Sequence, residues 1–346
     1  MNDVVTPTTN RKIILAARPT GMPNEETLKL ETAPIGKPGK GQMLVRSHYL
    51  SLDPYMRGMM SDRDSYAEPI PLGGTMVGGT VAEVVESQLD GYATGDWVMT
   101  YGGWQDYAIS DGSMTFGLDP AMENKSWALG ILGMPGLTAW AGLREIGKPK
   151  PGETLVVAAA VGPVGSAVGQ FAKKMGLRVV GVAGGAEKCR IAVKELGFDA
   201  CIDHRAPDFE AQLKAAVPDG IDIYFENVGG RVFRAVVPLL NERARIPLCG
   251  NIVTYNNPDQ PTEGLPDHTD IIMAKFQQYR VLAQGFLVSD YLHLWSDFHA
   301  EVAPWLTSGE VRYVEDISNG LEAAPQGLRD VLSGANIGKK VIRLTA

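Results

Sequence analysis

The 346-residue chain is short of cysteine, of long apolar runs and of basic clusters, and each shortage removes a class of function. Its three cysteines, Cys189, Cys201 and Cys249, form neither an even set nor a C-x-x-C spacing, which argues against a disulfide framework or a structural zinc site. The five histidines, His48, His204, His268, His293 and His299, show no metal-ligand spacing either. No stretch approaches the roughly 18 apolar residues that cross a bilayer. The opening MNDVVTPTTNRKI has no apolar signal-peptide centre, so the expectation is a cytoplasmic protein with no membrane partner. Lysine plus arginine number 32 against 40 acidic residues, a formal charge of −8 with no basic block, which argues against nucleic acid as a partner. There is no internal repeat and no low-complexity tract. What is present, 45% hydrophobic and 21% charged residues, suits about two cored domains acting on a small molecule.

The first third reads as strands broken by turns. KIILAARP, QMLVRSHYLSL, TVAEVVES and DWVMTYGGWQDYAIS are rich in β-formers and separated by Gly, Pro and Asp punctuation, which predicts an antiparallel β domain. After a helical stretch at 127–147 the rhythm changes. Apolar runs of strand length alternate with helix-length segments: TLVVAAA, 163–175, RVVGVA, 186–196, DACID, 207–216, IDIYFEN, 230–240, RIPLCG and RVLAQGFLV. Six such strands, each apolar throughout, predict a doubly wound parallel sheet covered on both faces, an α/β fold. The tail from Arg312 reads as strand, helix and strand with no sheet of its own, and is expected to return to the first domain. The expected division is 1–128 with 306–346 as the β-rich domain and 129–305 as the parallel-sheet domain.

Between the first parallel strand and its helix lies AAAVGPVGSAVGQ, residues 158–170. Ala160, Gly162 and Gly165 fill the three positions of G-x-G-x-x-G, with alanine for the first glycine. Gly162 would admit a pyrophosphate to the backbone, Gly165 would let helix and strand approach, and Pro163 suits the first helical position. Tight packing alone would use the same small residues, but strand–turn–helix inside six alternating elements is the setting of a dinucleotide site. At the end of the next strand, where an acidic residue would select NAD, stand Ala183, Gly184 and Gly185, followed by Lys188 in the first helical turn. A cation there opposes the helix dipole, which the 2′-phosphate of NADP would offset. NADPH is therefore the expected cofactor, with Glu187 as the feature that keeps NADH open.

LSLDPYMRG, GMPGLTAW, AAAVGPVGSAVGQFAK, GVAGGAEK, YFENVGG, CGNIVTYN and GANIGKKVIR occur in an order that resembles the medium-chain dehydrogenase/reductase superfamily over nearly the whole chain. Within it the resemblance is to the leukotriene dehydrogenase/prostaglandin reductase branch, and especially to bacterial NADPH-dependent curcumin reductases. This implies a GroES-like, barrel-like catalytic domain beside a Rossmann NADPH-binding domain, and a homodimer. It also implies that NADPH/NADP+ meets the turn of Gly162, Pro163, Val164 and Gly165, then Gly184, Lys188, Asn227, Cys249, Gly250, Tyr255, Phe286, Val288, Asn336 and Thr138. At His204 relatives commonly have a tyrosine near the adenosine phosphates; this histidine either takes over that contact or is a surface residue after a strand.

Zinc-dependent members carry Gly-His-Glu near the stretch that here reads GGTMVGGTVAEV, and a cysteine upstream that LSLDPYMRG lacks, so no catalytic metal is expected. Hydride addition to the conjugated double bond of an α,β-unsaturated ketone fits such a site, with neutral tyrosines stabilising charge on the carbonyl oxygen. Tyr255, just past a parallel strand, and Tyr55, presented by a turn in which Asp53 reads as helix N-cap, are the catalytic and substrate candidates; Tyr66, in a polar loop, is a further substrate candidate. Either tyrosine could instead be a packing residue. Glu226 reads as a strand-end structural residue, with a base as the other possibility. The alternatives are a zinc-free NADPH quinone oxidoreductase and a non-catalytic NADPH-binding protein.

Overall fold

The computed structural model describes residues 8–63, 65–257 and 268–345. The chain divides into two compact units, one running to residue 129 and resuming at 315, the other spanning 130–314. Residues 306–314 thus stay with the parallel-sheet unit.

In the first unit β1 (Thr9–Leu15) and β2 (Leu28–Pro34) form an antiparallel hairpin. β3 (Met43–Ser51) leads through the short helix α1 (Tyr55–Met59) to β4 (Thr80–Ser87), β5 (Trp97–Thr100), β6 (Tyr107–Ser110) and β7 (Phe116–Gly117). The second unit opens with α2 (Met134–Ala141), prolonged by a wider π-helical turn, Gly142–Gly147. Then β8 (Thr154–Ala158), α3 (Pro163–Lys174), β9 (Arg178–Ala183), α4 (Ala186–Lys194), β10 (Ala200–Asp203) and α5 (Phe209–Ala216) alternate, followed by β11 (Ile221–Phe225), α6 (Gly230–Val236), β12 (Leu240–Leu248), α7 (Thr269–Tyr279), β13 (Leu282–Gly285) and α8 (Trp295–Thr307). β14 (Glu315–Asn319), α9 (Ala324–Ser333) and β15 (Lys339–Arg343) then rejoin the first unit.

The six parallel strands lie in the order β10-β9-β8-β11-β12-β13. The chain winds outward from β8 to one edge, returns, and winds from β11 to the other, so its switch point falls between β8 and β11. β8, TLVVA, is buried at every position, as a central strand with helices on both faces requires. The expectation of uniformly apolar strands fails at the edges. β10 is half-buried throughout, and β13 is mostly exposed, with Leu282 at 49%. An edge strand has one neighbour, so its side chains need not all be covered. The core gathers Val156, Val180, Tyr224, Phe209 and Ile246.

The returning tail behaves as its strand–helix–strand pattern predicts. β15 pairs antiparallel with β3, and β14 lies parallel beside β15 as the outer strand of a seven-stranded sheet. α9 covers this junction, placing Leu328 with Leu50, Met56, Trp104 and Ile342 in one apolar cluster. A cluster of polar contacts is buried here. Lys339, 0% exposed, donates from Nζ to Asp53 Oδ1 at 2.9 Å and to the Leu52 carbonyl at 2.7 Å. Burial pulls the ammonium's pKa down while Asp53 opposes that shift. Asp53 therefore does not cap α1: no side chain caps that helix, and the second carboxylate oxygen accepts from the Ser51 hydroxyl. The long side chain of Lys339 reaches the carboxylate from a strand more than 280 residues away, and ion pairing out of water outweighs a local cap. Asp53→Ala, which strands a buried cation, is expected to destabilise this unit by about 3–5 kcal/mol, read as a lowered denaturant midpoint; an unchanged midpoint would refute the pairing.

Candidate functional site

All the sequence-predicted residues of the second unit, Thr138 and Val288 apart, sit in or immediately after the turns that leave the C-terminal ends of its parallel strands. That edge is where open α/β sheets bind ligands. At the end of β8 the backbone turns sharply. The left-handed residue is Ala159, with φ +53°, one position before the Ala160 expected to stand for the first glycine. Ala160 is instead buried and donates to the Val182 carbonyl at 3.0 Å, extending the β8–β9 ladder. Gly162 is extended and Pro163 opens α3. A Cβ on Gly165 would lie 2.2 Å from the Ala159 carbonyl oxygen, so the helix start reaches the strand only because the residue is glycine. With Val164 in this first turn, the unpaired N–H groups of a twelve-residue helix face whatever occupies the turn.

The next two strand ends build a cationic rim over a glycine floor. A Cβ on Gly184 would lie 3.0 Å from both His204 Nε2 and Arg205 Nε, so the side chains leaving β10 arch over the turn leaving β9. Asp203 holds the two turns together, its Oδ1 accepting the N–H groups of Gly185 and Arg205 at 2.9 Å each. Those N–H groups hold its carboxyl below the usual range. Burial and the neighbouring Arg205, Arg231 and Lys188 push the His204 imidazole below its usual pKa, Asp203 alone opposing. His204 is thus brought to the rim and held neutral at pH 7. Glu187, the feature that kept NADH open, is exposed and engaged by Arg190 of its own helix at 2.8 and 2.9 Å. Arg205 escaped sequence reading; its signal was a second cation at a strand end beside His204.

At the switch point Asn227 donates from Nδ2 to the Ala158 carbonyl at 2.8 Å, tying β11 to β8. Glu226 is buried and accepts the N–H groups of Val228 at 2.5 Å and Gly229 at 2.9 Å, while its own carbonyl accepts those of Cys249 and Gly250. Burial pushes its carboxyl pKa up against those N–H groups, and burial beside Glu226 pushes the Cys249 thiol up to about 12. A Cβ on Gly250 would lie 3.5 Å from Tyr255 Oη and 3.4 Å from the Asn227 carbonyl, so Tyr255 turns its hydroxyl back over this glycine. Tyr255 follows the single turn Ile252–Thr254. Phe286 packs its ring 6.3 Å from Phe225 and 6.0 Å from Tyr291, and Val288 begins the turn Val288–Leu294. Thr138, buried in α2, spends its hydroxyl on the Met134 carbonyl at 2.7 Å.

In the first unit Tyr55 opens α1 and is half-buried, and Tyr66 is 62% exposed. Burial, then the charge of Asp53, push the Tyr55 phenol well above its usual pKa, with Tyr101 and Tyr66 near enough to add to it. Tyr101, which sequence reading passed over, is pushed up to about 12 by the same two causes. Its signal was a tyrosine directly after β5, in TYGG. Asn336 donates to the Gly338 carbonyl at 2.8 Å within the turn before β15.

Comparison with known proteins agrees with this arrangement. Residues 11–118 match the model described as the N-terminal domain of oxidoreductase, and 163–306 the one described as zinc-binding dehydrogenase. The chain is 54% identical over 336 residues to the NADPH-dependent curcumin reductase of Escherichia coli K12, covering 97% of each. It is 41% identical to the 2-alkenal reductase (NADP(+)-dependent) of Nicotiana tabacum, covering 97% of this chain and 98% of that one. The crystal structure of CurA from Vibrio vulnificus in complex with NADPH superposes with a TM-score of 0.93 at 51% identity, covering 97% of this chain and 99% of that one. The chain belongs to the medium-chain dehydrogenase/reductase superfamily, in its prostaglandin reductase/alkenal reductase branch. Among the described residues of this reductase no group of three or more His, Cys, Asp or Glu is placed to hold a metal ion. Among the described residues no helix is long and apolar enough to cross a membrane.

Two outcomes are expected at the rim. Lys188→Ala and Arg205→Ala should each raise KM for NADPH about 10-fold or more and leave KM for NADH unchanged, as loss of a charge-assisted contact predicts; equal losses with both cofactors would remove these cations from 2′-phosphate selection. His204 is neutral in the free protein, so a phosphate drawn to it favours proton uptake. Affinity for NADPH should then rise as pH falls toward the depressed imidazole pKa, and His204→Gln should flatten that slope in a titration of Kd against pH.

Proposed function

We propose that this protein reduces the conjugated carbon–carbon double bond of α,β-unsaturated ketones and aldehydes with NADPH, and that it is an oxidoreductase of curcumin- and alkenal-type enones. The observation that carries the reading is the gathering of His204 and Arg205 over Gly184 at the ends of β9 and β10, in a chain 54% identical to an NADPH-dependent curcumin reductase. The residues present fit the cofactor. Gly162 to Gly165 offer the helix N-terminus to the pyrophosphate, the floor at Gly184 is space that any side chain would fill, and Lys188, His204 and Arg205 suit the 2′-phosphate.

When bound, NADPH supplies the hydride that adds to the β-carbon of the enone. The chain's own task is to bind the enone, keep water from it and stabilise the negative charge that then collects on the carbonyl oxygen. Tyr255, held over Gly250, is the donor assigned to that oxygen. In the first unit Tyr55 is the candidate donor, and burial, then the charge of Asp53, keep it protonated across the working pH range, so it can give a hydrogen bond without ionising. Tyr66 contacts the substrate from its exposed loop. The turns carrying Asn227, Cys249 and Gly250 receive the nicotinamide side, together with Phe286, Val288 and Thr138. Glu226 acts as the strap between those turns, its Oε1 accepting two backbone N–H groups and its carbonyl those of Cys249 and Gly250.

The protein acts in the cytoplasm as a homodimer, and the exposed edge strand β13 suits pairing with a second copy. Leu282 on it is 49% exposed, and Ile271 and Met273 on the neighbouring α7 are 64% and 63% exposed, more apolar surface than a lone edge keeps in water. The test is NADPH consumption, followed by absorbance, with curcumin, short alkenals and a quinone. Enones should be turned over faster than the quinone. Tyr255→Phe should lower kcat by about 10²-fold, the loss of one donor to a developing oxyanion, with the Kd for NADPH unchanged. Wild-type turnover in that variant would remove Tyr255 from the mechanism, and NADPH binding without any enone turnover would overturn the reading.

A further inference from the structure

Tyr255 is carried by a loop, residues 249–255, that lies along the turn leaving β11, residues 226–230. The turn is the fixed partner. Asn227 ties it to β8 through the Ala158 carbonyl, and Glu226 Oε1 accepts the N–H groups of Val228 and Gly229. The loop is laid on it by a series of backbone bonds. Cys249 and Gly250 donate to the Glu226 carbonyl at 2.9 and 3.1 Å, Ile252 to that of Asn227 at 3.4 Å, and Val253 to that of Val228 at 3.2 Å.

Asn251 engages the same turn through its side chain. Its Oδ1 lies inside the space that a Cβ on Gly229 would need, and its Cγ is 2.9 Å from that position. Val253 closes over the same glycine, its Cγ2 3.2 Å from that position. Gly229 is buried, with φ +81° and ψ −157°, a conformation open essentially to glycine alone. Any other residue there would strain the backbone and drive Asn251 from its seat. The main chain of Asn251 turns the loop toward Tyr255. Its carbonyl accepts the Thr254 N–H at 3.0 Å and the Thr254 hydroxyl at 2.9 Å, closing the single turn Ile252–Thr254. The Tyr255 N–H then reaches the Ile252 carbonyl at 3.2 Å, and the ring folds its hydroxyl back over Gly250.

We propose that Asn251, seated against Gly229, is a positioning residue that fixes where Tyr255 presents its hydroxyl. Seat and turn belong to one residue, so a shift of its side chain passes through its backbone into the turn that delivers the ring. The effect on turnover rests on the assignment of Tyr255 as donor to the enone oxygen; the placement of the ring does not. A donor to a developing oxyanion acts only within hydrogen-bond reach of it, and a displacement of ~1 Å can cost about 10²-fold in rate. Asn251 is exposed, and the backbone bonds of Cys249 and Gly250 do not use its side chain, so truncating it leaves those residues on their turn.

The test uses the full chain labelled with fluorotyrosine and freed of cofactor, as wild type, Asn251→Ala, Gly229→Ala and Tyr255→Phe. Of the 11 tyrosines, the one whose fluorine NMR signal is lost in Tyr255→Phe is Tyr255. Asn251→Ala and Gly229→Ala should each shift or broaden that signal and leave the rest in place. With an enone, Asn251→Ala should lower kcat about 10-fold, with the Kd for NADPH changed less than about twofold. In a Tyr255→Phe background the same substitution should cost less than about twofold further in kcat, because a residue acting through Tyr255 has nothing left to place. An unmoved Tyr255 signal in either folded variant would overturn the inference. So would an unchanged kcat in Asn251→Ala, or a loss as large in the Tyr255→Phe background as outside it. Wild-type turnover by Tyr255→Phe would instead overturn the donor assignment, and the fluorine signal would still decide what sets the place of the ring.

Discussion

The close approach of α3 to the end of β8 is the constraint on which the dinucleotide unit depends. The Ala159 carbonyl occupies the space that a side chain on Gly165 would need, and Ala159 itself takes a left-handed conformation costing about 1–2 kcal/mol in a residue with a Cβ. The turn accepts that strain because both flanks are fixed. β8 is buried between β9 and β11, and α3 lies on the sheet with Phe171 packed 5.6 Å from Trp305 of α8. With the helix start placed there, its free N–H groups face the crevice at the switch point, and the other loops of that edge need only supply selectivity.

The strand ends of that edge are arranged by two devices of different character. At the ends of β9 and β10 a carboxylate, Asp203, works through backbone N–H groups, and so positions the cations around it without neutralising them. At the end of β11 the buried Glu226 turns its carboxylate on the N–H groups of its own turn, while its backbone carbonyl accepts those of Cys249 and Gly250 and so joins two turns that sequence separates by more than twenty residues. The first unit repeats the motif with opposite effect. Asp53 is paired with a buried lysine, and its charge, with burial, holds the Tyr55 and Tyr101 phenols protonated. Acidic groups here orient neighbours, and the neutral donors carry the proposed chemistry.

Much of this was legible in the linear pattern. Alternating strand and helix runs, glycines at 162 and 165, a lysine where an acid would select NAD, and a tail without a sheet of its own are local signals, set by period and by backbone conformation. Their counterparts in the structure lie where the pattern puts them. The misreadings share a cause. Asp53 as a cap and strands covered throughout were inferences from neighbours in sequence, whereas Lys339 and the edge positions of β10 and β13 decide those points from far away. Arg205 and Tyr101 passed unnoticed because an isolated arginine or tyrosine after a strand acquires meaning only from what lies across from it.

By itself, then, the sequence determined the order of elements, the presence of a dinucleotide turn and the shortage of metal ligands, because each depends on residues within a few positions of one another. Which strand ends meet, which side chains lie over Gly184 and which lysine reaches Asp53 were decided by tertiary structure alone. The contacts that cross from one strand end to another join residues from 18 to nearly 290 positions apart, and only the packing of buried strands and helices brings them together.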